Sequence, residues 1–124
     1  MGKIDSPVKK YSGYVILPDF YGYGELIAWT EAIDKADTLI EGEDTSAVPL
    51  AKMLPYLDAR ACAILPMVSE WHIEGLSDTP EKLPATPIIA AKRFNFWLSG
   101  EIWNVINGDE LAVDPTSGGV STPG

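Results

Sequence analysis

His72, in "SEWHIEG", stands between Glu70 and Glu74, and an imidazole flanked by carboxylates is the pattern of a general base or a metal ligand. It is the chain's single histidine. "EWHIE" is not the HExxH pattern and offers no second imidazole, so His72 reads as a structural residue at a helix margin. Cys62 is the single cysteine, which excludes an intrachain disulfide and a cysteine-based zinc site within one chain. In the apolar run "ARACAIL" it reads as a small buried hydrophobe. "YGYGEL" contains GxG without the third glycine of a dinucleotide loop, and neither GxSxG nor a Walker A pattern occurs. Asp34, Asp37, Glu41, Glu43 and Asp44 bring oxygen ligands together, but not at the spacing of an EF-hand loop, and they read as a solvated face. The expectation is a non-enzyme with no catalytic residue, metal or cofactor.

The elements that carry these residues belong to a chain of 124 residues, the size of one domain with a core of its own. A hydrophobic content of 46% and a charged content of 22% match a folded globular protein. The formal net charge of −9 argues against nucleic acid, because Lys3, Lys9, Lys10, Lys52, Arg60, Lys82, Lys92 and Arg93 form no basic stripe. No segment reaches the roughly 18 apolar residues of a membrane span and the N-terminus has no apolar leader, which predicts a soluble protein that stays where it is made.

Residues 1–12 are polar and without period, which predicts a flexible N-terminal arm. "GYVILPD" is a run of β-formers closed by Pro18, an extended strap whose pairing partner the sequence does not show. After the "FYGYG" hinge, Leu26, Trp29, Ile33, Ala36 and Ile40 recur at spacings of three and four, predicting an amphipathic helix over about 24–40. In the acidic turn that follows, Thr45 or Ser46 can cap the next helix. Residues 47–74 read as a second helical region with a break near Pro55 and a kink near Pro66. Leu57, Ala61, Ile64, Leu65, Val68 and Trp71 form its core stripe. A Pro-rich loop leads to Thr86 as N-cap and Pro87 at the first position of a third helix, which runs to about Asn107 and stops at Gly108. The resulting fold class is mainly α: a small three- to four-helix bundle over residues 13–110, with a short N-terminal strap and a disordered tail over 111–124.

On a helical wheel of residues 88–107, Phe94, Trp97, Leu98, Ile102 and Val105 gather on one side and suffice to pack a core. Phe96 and Trp103, seven residues apart, line up on the opposite side, with Ile89 a further seven back and Gly100 on the flank. A helix with two apolar faces is either covered on both sides or presents one face to a partner. Phe96, Trp103, Ile89 and Gly100 are the candidate partner-binding residues.

The succession of the "GYVILPD" strap, an amphipathic helix with Trp29, a central helix ending in "EWHIEGL", the "LPATP" linker and the aromatic helix "RFNFWLSGEIWNVINGDE" resembles small tail assembly chaperones and related tail-region proteins of long-tailed bacteriophages. The resemblance covers residues 13–110. It implies a non-enzymatic protein in the cytoplasm of a bacterial host, made just before the tape measure protein. Such a protein coats the hydrophobic helical segments of the tape measure and delivers them to polymerising tail tube subunits. On that reading Phe96 and Trp103 bind an amphipathic helix. The alternative is a small acidic helical adaptor or regulatory domain that binds one defined protein or forms a homodimer through the same face.

Overall fold

The computed structural model describes residues 2–44, 46–74 and 85–113. A three-stranded antiparallel sheet packs with three helices, so the fold is α+β and not the mainly α bundle that the periodicity predicts. The order is β1 (Gly2–Asp5), β2 (Gly13–Leu17), α1 (Tyr23–Thr38), α2 (Leu50–Ile64), β3 (Glu70–Ile73) and α3 (Ile88–Val113). Strand β2 lies in the centre, with β1 on one side and β3 on the other.

Both flanking strands fall where another structure was expected. The supposed arm contributes β1, and the 3-10 turn Lys9–Tyr11 after it places Val8 and Tyr11 in the core. The segment "EWHI", expected to end a helix, is β3. Pro66 sits in the 3-10 turn Leu65–Met67 that closes α2, and beyond it the period changes to two. Trp71 and Ile73 then turn toward the core while Glu70 and His72 face solvent. Register brings Ile4, Val15 and Trp71 into one inward row and Asp5, Tyr14 and His72 into one outward row. The outward row is held by side chains: His72 stacks on Tyr14 at 4.6 Å, and Lys3 Nζ lies 4.6 Å from the Tyr14 ring.

Helix α1 forms where its period predicts. Gly22 N–H donates to the Glu25 carboxylate at 2.8 Å, and Trp29, Ile33 and Ala36 are buried along one stripe. Helix α2 runs unbroken through Pro55. The carbonyl that Pro55 leaves without its N–H belongs to the exposed Ala51, where water can bond it, so the break does not occur. Thr45 lies outside the described residues, and Ser46 does not cap α2, whose N-cap is Pro49; its N–H and hydroxyl instead donate to Asp44, which holds that carboxyl below its ordinary pKa. Pro87 precedes α3, its carbonyl accepting from Ala91 N–H at 3.0 Å. Gly108, at φ 75° and ψ 166°, leaves helical geometry as expected, yet helix is assigned on to Val113. The disordered tail expected from residue 111 falls outside the described residues after Val113.

The main core lies between the inner face of the sheet and the helices, built on Val15, Leu17, Trp29, Ile64, Leu98 and Ile102. A smaller cluster of Ala36, Met53, Tyr56 and Leu57 joins α1 to α2. Two tyrosines tie the linkers to this frame: Tyr11 O–H donates to the Thr86 carbonyl at 3.2 Å, and Tyr21 O–H to the Met67 carbonyl at 2.7 Å. Among the described residues, no helix is long and apolar enough to cross a membrane.

Burial, with a smaller contribution from the Glu25 charge, pushes the Tyr21 phenol from 10.0 up to about 12. A folded-state pKa above the unfolded one means that the folded chain keeps a proton that the unfolded chain sheds. Stability is therefore fully present below pH 10 and falls as pH climbs toward 12. Burial raises Tyr11 in the same sense. Tyr21→Phe will cost about 1 kcal/mol at neutral pH for the lost hydrogen bond. Its stability, measured by urea melts across this range, will then decline less steeply than the wild type. Parallel curves would show that Tyr21 ionises equally in both states.

Candidate protein-binding face

Helix α3 turns Ala91, Phe94, Leu98 and Ile102 into the core at intervals of three and four. On its opposite side Ile89, Phe96 and Trp103 repeat every seven residues. Two helical turns cover about 7.2 residues, so the three side chains stand in one row about 21 Å long. Ile89 is 71% exposed, Phe96 42% and Trp103 36%, so the row stays accessible while two of its members are partly seated. Phe96 lies over the Arg60 guanidinium at 4.9 Å and tilts against Tyr56 at 6.4 Å. Trp103 meets the buried Trp29 edge to face at 5.8 Å. The row thus rests on α2 at its middle and on α1 at its Trp103 end. Gly100 lies between these two seats, and a Cβ built on it meets nothing within 4 Å, leaving a notch between the two aromatic rings.

The two alternatives for this face, covered or presented, describe different parts of it. The inner edges of Phe96 and Trp103 are packed, and their outer edges with most of Ile89 are exposed. Other exposed apolar side chains lie elsewhere, notably Phe20, Tyr23 and Ile27 around the start of α1.

Beneath Phe96 is a polar cluster that sequence reasoning missed. Arg60, Asn95 and Ser99 are all buried. Arg60 Nε donates to Asn95 Oδ1 at 2.8 Å, Nη1 to the Tyr56 hydroxyl at 3.2 Å and Nη2 to Ser99 Oγ at 2.6 Å. Asn95 Nδ2 donates in turn to the Leu57 carbonyl and Ser99 O–H to the Asn95 carbonyl, so both acceptors are fixed with their lone pairs toward the guanidinium. The available signal was a pair of i, i+4 repeats, Tyr56 with Arg60 and Asn95 with Ser99, on the flank of each apolar stripe.

The residues considered for catalysis do not converge. His72 lies on the exposed face of the sheet and shares a hydrogen bond of 3.0 Å with Glu70. Glu43 pairs with Lys52 and Asp44 bonds Ser46, and among the described residues no group of acidic, histidine or cysteine side chains could hold a metal ion. Cys62 is exposed, contrary to its expected burial. It borders a cleft of about 400 Å³ between α1 and α2, opposite Gly24, Ala28 and Ala32.

Compared with protein-family models, curated proteins and solved structures, the chain matches none.

Proposed function

We propose that this chain is a non-catalytic protein-binding module that receives an amphipathic helix along the Ile89–Phe96–Trp103 row of α3. The observation that carries this reading is the row itself: large apolar side chains at helical repeat, accessible at their outer edges and braced from below by Tyr56, Arg60 and Trp29. A partner helix supplies apolar residues at the same repeat, one of which enters the notch over Gly100. Rigid aromatics supported from beneath are suited to act as hot spots because little side-chain entropy is lost on binding.

The resemblance to bacteriophage tail assembly chaperones supplies a client of that kind, the hydrophobic helices of a tape measure protein, met in the cytoplasm of a bacterial host. The "GYVILPD" strap and the aromatic helix keep their places in that comparison, whereas "EWHI" enters it as a strand. The high negative charge suits a protein that carries an exposed apolar row and must not aggregate.

The test is a Phe96→Ser/Trp103→Ser double variant, followed by circular dichroism, light scattering after size exclusion, and titration with amphipathic tape measure segments. The variant is expected to stay helical and to bind at least about thirtyfold more weakly, the loss of two aromatic anchors. Unchanged affinity in a folded variant would remove the row as the binding face. A wild-type dimer that the variant converts to monomer would favour the adaptor reading, with a second copy as the occupant.

A further inference from the structure

Arg60 exposes 9% of its surface, and its guanidinium hydrogen-bond partners, Asn95, Tyr56 and Ser99, are all neutral. The chain has 18 acidic residues, yet among the described residues no carboxylate pairs with Arg60. The guanidinium is thus a buried positive charge with no carboxylate beside it among the described residues, and desolvation makes that arrangement costly. Dipoles and the Phe96 and Tyr56 ring faces offset part of that cost. Three of the five N–H groups are engaged, and the other two meet no acceptor among the described residues. The Tyr56 hydroxyl accepts from Nη1, so its own hydrogen is also left to donate.

The surroundings point the same way. Residues 88–100 of α3 carry two charges, Lys92 and Arg93, both basic. In α1 the acids Glu25, Glu31, Asp34 and Asp37 outnumber Lys35. Within a chain of net charge −9, the stretch of α3 from Ile89 to Gly100 thus carries only basic charges, whereas α1 is net negative.

We infer that Arg60 and the Tyr56 hydroxyl form a receptor for a carboxylate, an aspartate or glutamate carried by the partner helix one turn from the apolar residue that seats against Phe96. This rests on the proposed docking row and adds the polar half of its specificity. On docking, the carboxylate meets the two remaining donors of the guanidinium, which Asn95 and Ser99 hold in one pose, and supplies a counterion. The charge gradient along the face also orients the partner, with its acidic end toward Arg60.

The probe is a synthetic helix with leucines every seven residues and one glutamate a turn before a leucine, compared by titration calorimetry with its glutamine and lysine counterparts. Wild type is expected to bind the glutamate peptide about tenfold more tightly than the glutamine one, and the lysine one most weakly. Arg60→Lys keeps the charge but loses the fork, and will shrink the glutamate preference to under about threefold. Tyr56→Phe keeps the ring and secures the test if the Arg60 variant does not fold. It will shrink the preference by a smaller factor. Equal affinity of wild type for the glutamate and glutamine peptides, with Phe96→Ser weakening both, would overturn the carboxylate receptor and leave the docking row standing. Binding of no peptide would overturn both. A preference undiminished in Tyr56→Phe and in folded Arg60→Lys would assign it to Lys92 and Arg93 and overturn the receptor.

Discussion

Trp29→Ala will lower the unfolding free energy by about 3–5 kcal/mol, a third or more of the stability of an ordinary domain. Trp29 is 1% exposed, lies in the main core and supports Trp103 edge to face. It also lines the cleft between α1 and α2, so truncation joins that space to the core. Thermal melting is expected to fall by about 10–20 °C. Trp29→Phe separates packing from polarity. The indole Nε1 is buried and meets no acceptor among the described residues, and an unmet buried N–H costs about 1–3 kcal/mol. Phenylalanine loses part of the ring but also that penalty, so the expected loss is below about 2 kcal/mol. Equal losses for Phe and Ala would mean that the N–H is bonded after all, and a loss under about 1 kcal/mol for Ala would remove Trp29 from the core.

Gly13→Ala will cost upward of about 3 kcal/mol for a different reason. Gly13 opens β2 at φ 130°, a backbone conformation that residues with a side chain rarely adopt. A Cβ there would lie 2.0 Å from the His72 carbonyl oxygen and 3.0 Å from Ile73 Cα. The overlap is with backbone on the neighbouring strand, so no rotamer change relieves it. The β2–β3 register has to open at the end that the Glu74 N–H to Ser12 carbonyl bond closes. A melting temperature lower by about 10 °C or more is expected, with faster amide exchange in β3 than in α1. A variant that melts within a degree or two of wild type would show that the two strands do not approach so closely.

How much of this fold can be read from the chain depends on the scale of each signal. The α1 stripe of Trp29, Ile33 and Ala36 repeats over several turns, and it appears within a few residues of its expected bounds. Strand β1 is four residues on a sheet edge with only Ile4 half-buried, so its stabilisation comes from backbone bonds to β2 and leaves no hydrophobic pattern. Strand β3 is hidden in the sequence because Val68 and Trp71 continue the α2 stripe at helical spacing, although Pro66 has already closed the helix. The apolar neighbours of Cys62 do not tell which side of α2 it occupies. Counted from the buried Leu57, it lies about 140° around the helix, on the side away from the stripe.

The candidate site divides along the same line. Ile89, Phe96 and Trp103 were visible because large apolar residues on the wrong face of a wheel stand out. Arg60, Asn95 and Ser99 were not, because polar residues beside an apolar stripe look like the start of a solvated surface. Only the approach of α2 to α3, a contact between helices far apart in sequence, turns those flanks toward each other.

The central strand pairs with neighbours that reach it by very different routes. Strand β1 meets β2 across a short connection, whereas Gly13 finds Ile73 only after both α1 and α2 have been traversed. The first pairing closes a small loop and the second a large one, and loop entropy must be overcome before non-local contacts stabilise the chain. Closing the β2–β3 pair therefore carries the larger loop entropy of the two. That larger loop contains both α1 and α2, so the pairing of β2 with β3 ties the two ends of the helical hairpin together.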